Sequence, residues 1–497
     1  MSASVKFGAL LFLFAAVFCL PEVQINSSMA QTEEAYPPPE RPLSLEECIR
    51  LAIDNSFEIK LARLDFLIAE TDLTLAEAVF DTSLFGNIGY QNDQRDQVSI
   101  FGPKQTTNNI YSAGISKKIP SGTELKLSFS SDRSWSDSAY VLRNPAYETD
   151  ASVEMRQPVW NNYLGSNDRR NITSTRLAIQ SAGLDTKERI ESLFENVEKA
   201  YWELAFAGKN LDIYKELLEK AEELHKTNTR NYDMGRIEKG DFLASEANVI
   251  IRKKDLAVAG NNYRRTEENL KLLINTDASW RILPSQELSH NGEKLDLAGC
   301  LKKAFQVRRD YQKAKTELER QKIILKVKSN ERWPEIDLVA SMTANGVDSE
   351  FNKALNRTGT GNAYYYAGVE VNIPIENRAG KAGFNKAAHN KEKAIISLKE
   401  LERGIITEIG NLFRDYLMCE NNVESLRQVE ELQGAKLKEE EKKFEYGRSA
   451  TKTLIDYQQD YLNARAQLTQ EILNAKTAGI NLNKALNIIF EKYEGML

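Results

Sequence analysis

One short stretch of this sequence occurs twice, as NYDMGRIEKGDFL at Asn231–Leu243 and as KFEYGRSATKTLI at Lys443–Ile455. In both copies an aromatic residue precedes a Gly-Arg pair by three positions, and an apolar run resumes after a polar gap. The glycines are Gly235 and Gly447, so the copies lie 212 positions apart. Each interrupts a long, charged, helix-forming region. Because a glycine in the left-handed conformation ends a helix and lets the chain return, each copy predicts the turn of a helical hairpin.

A second duplication marks the start of each half. LSLEECIRLAI at 43–53 returns as LDLAGCLKKAF at 295–305, an offset of 252 positions. Ser44 and Asp296 stand where the N-cap of a helix is expected, with Glu or Gly three residues later. The apolar period that follows predicts continuous helices to about residues 79 and 332.

Each opening helix is followed by a block in which apolar and polar residues alternate. In TELKLSFS, for example, Leu125, Leu127 and Phe129 share one face of a strand. Long polar loops alternate with a tight Pro-Ser-Gly turn at 120–122. The alternation predicts six strands, at about 83–94, 109–119, 123–134, 149–159, 336–344 and 363–374.

Long helices come next, from about 171 to 232 and from about 379 to 446, with further helices after each Gly-Arg break to about 275 and 490. Their apolar residues advance by alternating steps of four and three, which is the pattern of a coiled coil. Roughly sixty residues at 1.5 Å each give a rod of about 90 Å. The order of helix, strands, long helix, break and long helix occurs in both halves, which indicates an internal duplication.

The composition argues against several classes of protein. Of the 497 residues 28% are charged, and 66 Lys and Arg against 72 Asp and Glu leave a net charge of −6, which does not favour a nucleic-acid binder. The three histidines, His225, His290 and His389, are far apart, so no metal site is expected. The sequence has no glycine-rich phosphate loop, nucleophile elbow or zinc motif, and we therefore predict no enzyme and no cofactor.

The N-terminus has the features of an export signal. Lys6 precedes the apolar run FGALLFLFAAVFCL, and the small residues Ser28 and Ala30 fit a cleavage site after Ala30. The bulky Phe18 argues against lipidation of Cys19. We therefore assign 1–30 as a signal peptide and 31–42 as a Pro-rich extension.

The three remaining cysteines, Cys48, Cys300 and Cys419, are widely spaced at apolar helical positions. They are expected to be buried free thiols and not a disulfide framework. Beyond the signal, no run of eighteen or more apolar residues occurs, so any membrane-spanning part has to be made of strands.

Strands with one apolar and one polar face, joined alternately by long and short loops, are typical of outer-membrane barrels. Six strands cannot close a barrel with a usable lumen, so several chains are expected to contribute to one barrel.

From about Leu43 to Phe490 the chain resembles the TolC family of outer-membrane efflux proteins. The resemblance is carried by the repeated helix openers, the strand block that ends in QPVW, and the two aromatic-x-x-Gly breaks. It implies an α+β membrane protein, in which a trimeric transmembrane β-barrel is continued by a long antiparallel α-helical coiled-coil barrel. Each chain would supply two internal repeats, at 43–282 with a tip at 232–241 and at 295–491 with a tip at 444–453.

The resemblance also implies a function and its partners. The homotrimer would lie in the outer membrane of a Gram-negative-type cell, in contact with its lipid, and extend into the periplasm. It would passively conduct substrates of a tripartite efflux or type I secretion system from an inner-membrane transporter and a periplasmic adaptor (membrane fusion protein) to the exterior. The better-known members supply four strands per chain. Here the hairpin around 120–122 either raises the total from twelve to eighteen or lies outside the barrel wall.

Site residues follow from the tips. Gly235, Arg236, Gly447 and Arg448 are predicted to contact the adaptor. Asp456 and Asp460 lie four residues apart on one helix face close to the position of the family's pore constriction, where a trimer would repeat each three times. Such acidic rings need a bound ion or basic neighbours, for which Arg448 and Lys452 are candidates. The alternative is a solvated helix face.

Three further assignments complete the sequence analysis. Asp241 is predicted to cap the helix after the first tip. The run KLKEEEKK at 436–443 is predicted to be an exposed helix face held by its own opposite charges. The three tyrosines at 364–366 are either an interfacial girdle or ordinary strand residues.

A protein of another class has to be weighed against this one. An exported coiled-coil scaffold or adhesin with a β-rich head would explain the signal and the heptads. It would not explain two strand blocks whose loops are long on one side and short on the other. The substrate is not encoded in any motif of the chain.

Overall fold

The computed structural model describes residues 40–96, 102–276, 279–289, 292, 295–359 and 361–496. It combines two long helical hairpins, a six-stranded sheet and a small two-stranded sheet. The strands are β1 Glu40–Leu43, β2 Thr82–Asp93, β3 Thr106–Lys118, β4 Glu124–Ser136, β5 Ala146–Pro158, β6 Arg281–Pro284, β7 Glu335–Asp348 and β8 Ala363–Asn372. The helices are α1 Leu45–Asn55, α2 Phe57–Glu77, α3 Ser166–Asp233, α4 Lys239–Leu273, α5 Leu297–Val307, α6 Arg309–Asn330, α7 Phe351–Arg357, α8 Arg378–Glu445, α9 Thr451–Ala485 and α10 Ile489–Tyr493.

The two halves repeat each other in length as well as in order. Helices α3 and α8 have 68 residues each, and α4 and α9 have 35 each. Both pairs are displaced by 212 positions, whereas α1 and α5, of 11 residues each, are displaced by 252. The first half therefore has 40 more residues than the second between its opening helices and its long helix, which is the region of the strands.

Six of the left-handed backbone positions form three pairs at the same spacing of 212. At each of these positions the chain has glycine or asparagine, the two residues that adopt a positive φ most readily. The three pairs are Gly165 (φ 68°) with Asn377 (45°), Gly235 (66°) with Gly447 (68°), and Asn275 (46°) with Asn487 (52°).

The large sheet is antiparallel throughout, with the order β2-β3-β4-β5-β7-β8. The additional hairpin, β3–β4, lies between β2 and β5 and pairs with both along nearly their whole length. It is therefore part of the sheet. Its turn at 119–123 lies at the end of the sheet that joins the long helices, and the strand ends that the other three loops connect lie at the opposite end.

Each face of this sheet is dominated by one kind of side chain. The register aligns apolar side chains across all six strands in one row, made of Leu84, Ile115, Leu127, Val153, Met342 and Tyr365. The neighbouring row on the opposite face consists of Ser83, Ser116, Lys126, Glu154, Ser341 and Tyr366. We call these the apolar face and the polar face. In the single chain the apolar face is uncovered over much of its area, and Leu84 is 79% exposed.

The main core lies where the N- and C-terminal segments pack on α3. Strands β1 and β6 pair in parallel, and buried tyrosines fasten both. The Tyr201 hydroxyl donates to the Leu43 carbonyl at 3.1 Å, and the Tyr263 hydroxyl donates to the Ile282 carbonyl at 2.8 Å. Burial raises the pKa of Tyr263 to about 12. The sequence analysis placed no strand at either segment.

A buried polar network holds the C-terminal segment in place. Glu191, 1% exposed, accepts hydrogen bonds from Arg309, from the Asn487 amide at 2.6 Å and from the Phe490 backbone N–H at 3.1 Å. All three partners donate, as a buried carboxylate requires. This contact joins the start of α6 and the end of the chain to the first long helix.

The opening helices are shorter than predicted. Both are interrupted, at Ser56 (ψ 131°) and at Arg308 (ψ 123°), again 252 positions apart. The prediction of single helices to residues 79 and 332 was therefore wrong. Ser56 ends α1 and caps α2 by accepting from the Glu58 N–H at 3.1 Å, and Arg308 is tied to Asp310 by an ion pair of 2.7 Å.

Other local predictions were confirmed. Ser44 and Glu47 form a reciprocal capping box, and Asp296 accepts from the Gly299 N–H at 3.0 Å. Cys48, Cys300 and Cys419 are buried and free. The proposed signal peptide, Cys19 and residues 31–39 of the extension lie outside the described residues. Within the part of the chain that the structure describes, no helix is both long and apolar enough to cross a membrane.

Candidate functional site: the two hairpin tips

The first tip joins α3 to α4 and is closed by backbone hydrogen bonds. The Gly235 N–H donates to the Tyr232 carbonyl at 2.9 Å, and the Arg236 N–H donates to the Asn231 carbonyl at 2.8 Å. This is the Schellman pattern, in which the left-handed residue after the helix allows the last carbonyls to be satisfied.

The second tip joins α8 to α9 with the same geometry. The Gly447 N–H donates to the Phe444 carbonyl at 2.9 Å, and the Arg448 N–H donates to the Lys443 carbonyl at 2.8 Å. A Cβ at Gly235 or Gly447 would meet no atom within 4 Å. Glycine is therefore favoured at both positions by the positive φ alone and not by close packing.

The outer surface of each tip is open. Arg236 and Arg448 are exposed, and neither forms an ion pair with any other described residue. An exposed apolar side chain lies two positions before each arginine, with Met234 58% and Tyr446 77% exposed. A cation beside exposed apolar side chains is suited to contact with another protein. Among the described residues, neither Arg236 nor Arg448 pairs with either of the two aspartates of α9.

Asp241 is not the helix cap that the sequence analysis predicted. The N-cap of α4 is Glu238, which makes no capping hydrogen bond through its side chain. Asp241 lies in the first turn, where its backbone N–H bonds to the Glu238 carbonyl at 3.1 Å. A carboxylate in a first turn is favourable to the helix dipole, so the residue still suits the helix start without capping it.

The two tips are joined inside the chain. Asn228, which is fully buried on α3, donates to the Thr451 hydroxyl at the start of α9 over 3.1 Å. Beside this bond Leu224, Leu437 and Leu454 form a small apolar cluster. The helical hairpins therefore contact each other through α3 and α9.

A second polar link closes the tip between α8 and α9. Glu440, 6% exposed, accepts from the Ser449 hydroxyl at 2.6 Å and from Lys443 at 3.1 Å. These two hydrogen bonds, from Ser449 first and Lys443 second, hold the pKa of Glu440 below its ordinary value.

The charged run at 436–443 is thus not the self-supporting exposed face that was predicted. Glu440 of that run is buried, Glu441 pairs with Lys220 of α3 at 3.2 Å, and Lys436 reaches α9. Pairs within the run do occur, such as Lys442 with Glu439 at 2.7 Å. The run therefore bonds α8 to its neighbours as well as to itself.

The two aspartates of α9 are not equivalent. Asp460 pairs with Lys436 of α8 at 2.9 Å, and the same ammonium lies 3.8 Å from the centre of the Tyr457 ring. Asp456, one turn nearer the tip, is exposed and forms no ion pair with a described residue. The predicted neighbours Arg448 and Lys452 pair with neither carboxylate. In the single chain Asp456 is therefore the carboxylate with no cation beside it.

Further polar contacts bridge the two hairpins above the tips. Arg252 of α4, 4% exposed, donates to the Gln459 side chain of α9 at 2.8 Å. Burial lowers the pKa of Arg252. Arg465 of α9 pairs with Glu216 of α3 at 2.6 Å. Any relative movement of the hairpins has to break these bonds.

Sequence reasoning missed Asn228, Lys436, Glu440 and Thr451 at this site. A signal for Glu440 was present, because the apolar seam of α8 runs through Cys419, Val423 and Leu426. Further steps of four and three reach 430, 433, 437, 440 and 444. The seam of α3, continued from Ala221 in the same steps, likewise reaches Asn228. Thr451 carries no comparable signal, since it lies at the start of α9 and its contact is with another helix. Among the described residues no group of His, Cys, Asp or Glu is placed to hold a metal ion.

Comparison with known proteins gives one family and one fold. Residues 121–276 match the outer membrane efflux protein family. No curated protein sequence matches the chain. The CmeC outer membrane channel of Campylobacter jejuni is similar in structure, with a TM-score of 0.67 and 14% identity over 91% of this chain and 89% of that one.

Two further solved structures are similar. The MtrE outer membrane channel of Neisseria gonorrhoeae, in its open state, has a TM-score of 0.64 and 16% identity over 89% of this chain and 88% of that one. The outer membrane protein VceC of Vibrio cholerae has a TM-score of 0.64 and 12% identity over 89% of this chain and 95% of that one. At such identities the likeness is one of fold. The resemblance to the TolC-like outer-membrane efflux proteins is therefore confirmed, in sequence over residues 121–276 and in fold over most of the chain.

Proposed function

We propose that three copies of this chain form an outer-membrane channel continued by a periplasmic tunnel. The channel passively conducts substrates delivered by an inner-membrane transporter and a periplasmic adaptor to the exterior. The observation that carries the proposal is a sheet with one apolar and one polar face, joined directly to two long helical hairpins. A lipid-facing wall and a water-filled lumen require this division of faces.

The apolar face has the height of a membrane. On β7 it extends from Ile336 to Gly346, ten residue steps along the strand. At about 3.3 Å per residue and a tilt of roughly 40°, this spans about 25 Å, the height of the apolar band of an outer-membrane barrel. Trp160 and Trp333, whose ring centres are 6.1 Å apart, lie at the helical end of this band, and Tyr90 and Tyr147 lie at the other end.

These aromatic residues support interfacial girdles at positions different from those considered in the sequence analysis. Tyr365 lies within the apolar face, whereas Tyr364 and Tyr366 alternate to the polar face. The three neighbouring tyrosines therefore cannot form one girdle.

Closure requires other copies. Among the described residues, no strand pairs with the outer edge of β2 or of β8. If β8 of one copy paired with β2 of the next, the two strands would run antiparallel. Three copies then give eighteen strands, and since barrel diameter grows roughly in proportion to strand number, the bore would be about one and a half times that of twelve strands.

The additional hairpin has no helix of its own beneath it and is instead attached to α3. A Cβ at Gly122 would lie 2.7 Å from the backbone nitrogen of Gly165, so the turn and the helix start are in backbone contact. Arg169 donates to the Pro120 carbonyl at 2.7 Å, and Lys118 pairs with Asp168 at 2.9 Å. These bonds support a place for the hairpin in the barrel wall above the tunnel.

An unpartnered seam supports the trimer from the helical side. One stripe of α2 is apolar at steps of four, three, four and seven, yet 54–70% exposed. It consists of Phe57, Leu61, Leu64, Ile68 and Leu75. A coiled-coil seam of this spacing is stable when another helix covers it, and in the proposed trimer a neighbouring copy supplies that helix.

In this proposal the tips at Gly235-Arg236 and Gly447-Arg448 ring the periplasmic mouth and contact the adaptor. Asp456 and Asp460 stand just above them as constriction candidates. Opening moves the hairpins apart at the bonds that join α3, α4 and α9. The driving energy comes from the transporter, since no nucleotide-binding motif was found in the sequence.

The test is to express the chain with its signal, isolate outer membranes, and examine the purified protein in planar bilayers. A heat-modifiable trimer that requires detergent and gives discrete conductance steps is the expected result. Release as a soluble protein by osmotic shock would overturn the proposal. That outcome would favour the exported coiled-coil scaffold or adhesin.

A further inference from the structure

We propose that the outer rim of the apolar face, between α7 and strands β3–β5, binds the phosphate group of a lipid in the outer leaflet of the membrane. The inference rests on the proposed membrane location of the sheet. It assigns a ligand to a surface that conduction itself does not use.

Helix α7 lies against the apolar face at the loop end of the sheet. The row of the sheet beneath it is made of small residues, with Thr149 completely buried and Ser131 7% exposed. A Cβ at Gly346 would lie 2.1 Å from the Ala354 carbonyl oxygen, so the helix touches the strand backbone there. The hydroxyls of Thr149 and Thr358 are hydrogen-bonded at 2.6 Å. The helix is thus fixed on the side of the wall that faces lipid.

A cavity of about 430 Å³ opens beside this helix on the same face. Its lining is mostly aromatic and includes one cation. The lining residues are Tyr111, Phe129, Ser131, Arg133, Tyr147 and Phe351. Arg133 donates from Nε to the Tyr147 hydroxyl at 3.2 Å, with its guanidinium 5.9 Å from the centre of that ring. The aromatic partner orients the guanidinium at the edge of the cavity.

The charge of this rim is positive. Arg133 and Arg143 form no ion pair with any described residue, and Arg143 donates to the Val347 carbonyl at 2.5 Å. The other two cations of the rim are each matched by one acid, in the pairs Arg357 with Asp348 at 3.2 Å and Lys353 with Glu350 at 2.8 Å. Two positive charges therefore remain. A guanidinium binds a phosphate through paired N–H donors. The phosphate of a headgroup is therefore a better partner for these arginines than a carbonyl oxygen.

The height of Arg133 selects lipid as the source of that phosphate. Its row, which contains Tyr90 and Tyr147, lies one row beyond Ser131, at the outer limit of the 25 Å apolar band. Lipid headgroups occupy this level, and basic residues there attract anionic lipid. Phe129 and Tyr111 lie on the membrane side of the cation, where an acyl chain would cover them.

The test uses the purified trimer in detergent, with diphosphorylated lipid A as the probe and native mass spectrometry as the readout. We expect bound lipid A on the wild type and at least a fivefold loss in the double variant Arg133→Gln/Arg143→Gln. Lys126→Gln is the matched control, since it removes a positive charge from the same strand on the polar face. Arg133→Lys keeps the charge and should retain part of the binding.

Equal amounts of bound lipid A on the wild type, the double variant and the control would mean that the lipid is only adsorbed. That result would overturn the proposed site. So would thermal stabilisation by inorganic phosphate alone as large as that by lipid A, because the apolar part of the cavity would then add nothing. Bilayer conductance of the double variant should equal that of the wild type. If the wild type fails to conduct, the proposed function fails. If it conducts and lipid binding is unchanged in the double variant, only this site fails.

Discussion

Asn228 of α3 donates a hydrogen bond to the hydroxyl of Thr451, the first residue of α9, and so ties together the two hairpin tips that the sequence places 212 positions apart. The amide is completely buried. Because a buried polar group that loses its partner costs about 1–3 kcal/mol, this bond favours the arrangement in which the tips are in contact.

We therefore predict that Thr451→Val loosens the tips. The valine has a similar shape but leaves the Asn228 amide without its hydroxyl partner, so the trimer should spend more time in an open state. Single-channel recording should show a higher open fraction, and the free energy of unfolding should fall by about 1–3 kcal/mol. Thr453→Val, two residues along the same helix, is the control. Identical recordings for both variants would show that the Asn228–Thr451 bond does not hold the tips.

The second tip should respond to acid. Because the pKa of Glu440 is lowered by Ser449 and Lys443, its carboxylate stabilises the folded tip at any pH above the ordinary value of 4.5. That contribution is lost as the pH falls through the lowered pKa. Hydrogen exchange of residues 440–452, corrected for intrinsic rates, should accelerate in this window in the wild type. In Glu440→Gln, exchange should be faster at neutral pH and nearly independent of pH, and a wild-type tip that is equally protected across the window would contradict the prediction.

The tip glycines should be required for their backbone conformation. Gly235→Ala and Gly447→Ala place a Cβ on a residue with φ near +67°, which costs about 1–2 kcal/mol per residue, although the Cβ itself meets no neighbour. Thermal unfolding should show this loss for each variant. Gly240→Ala is the control, since Gly240 is also open within 4 Å but lies inside α4. There alanine should stabilise by up to about 1 kcal/mol, and a loss equal to that of the tip variants would exclude backbone strain as the cause.

The two aspartates of α9 should contribute unequally to the cation selectivity of the channel. Asp460 is compensated by Lys436, whereas Asp456 has no cation beside it in the chain. Asp456→Asn should therefore reduce the cation selectivity of the reconstituted channel more than Asp460→Asn does. Reversal potentials in a salt gradient measure this directly. If neither variant shifts the reversal potential, the two residues lie on a solvated helix face and form no constriction.

Much of the fold could be predicted because the sequence repeats itself. The openers at 43 and 295 and the breaks at Gly235 and Gly447 depend on local chemistry, namely capping and left-handed glycine, which a single sequence displays. The strands were found from alternation, since most side chains on one face are apolar and most on the other are polar. The assignment of the hairpin to the sheet, however, needed the pairing of β3 with β2 and of β4 with β5, which are contacts between segments.

The features that were missed share a physical cause. The break at Ser56 was missed because the apolar period continues across it. The serine that caps the next helix looks like an ordinary polar position. Strands β1 and β6 have four residues each, too few for alternation to be recognised. Asn228 and Glu440 are polar residues inside coiled-coil seams, where composition predicts exposure, and only the neighbouring helix shows why they are buried.

The additional hairpin gives the most direct test of the barrel. Deleting residues 98–137 removes the 40 surplus residues, together with β3 and β4, and leaves the ends of β2 and β5 joined by a loop. The row that contains Leu84 also contains Val153, so the shortened sheet would keep its faces. The trimer should then have twelve strands and a bore about two-thirds as wide. Polyethylene glycols added only on the barrel side of a planar bilayer measure the radius of that entrance, and deletion of residues 138–142 alone is the control for loop shortening.

Cysteine labelling tests the same assignment in the intact chain. Ser128→Cys lies on the polar face of β4 and Leu127→Cys on the apolar face. If the hairpin is part of the wall, a water-soluble maleimide should label the first through the lumen and leave the second unreacted in membranes. Cys48, Cys300 and Cys419 are buried, and the labelling of the otherwise unchanged chain serves as the background. Equal labelling of both positions, or an unchanged exclusion radius in a deletion variant that still forms trimers, would place the hairpin outside the wall.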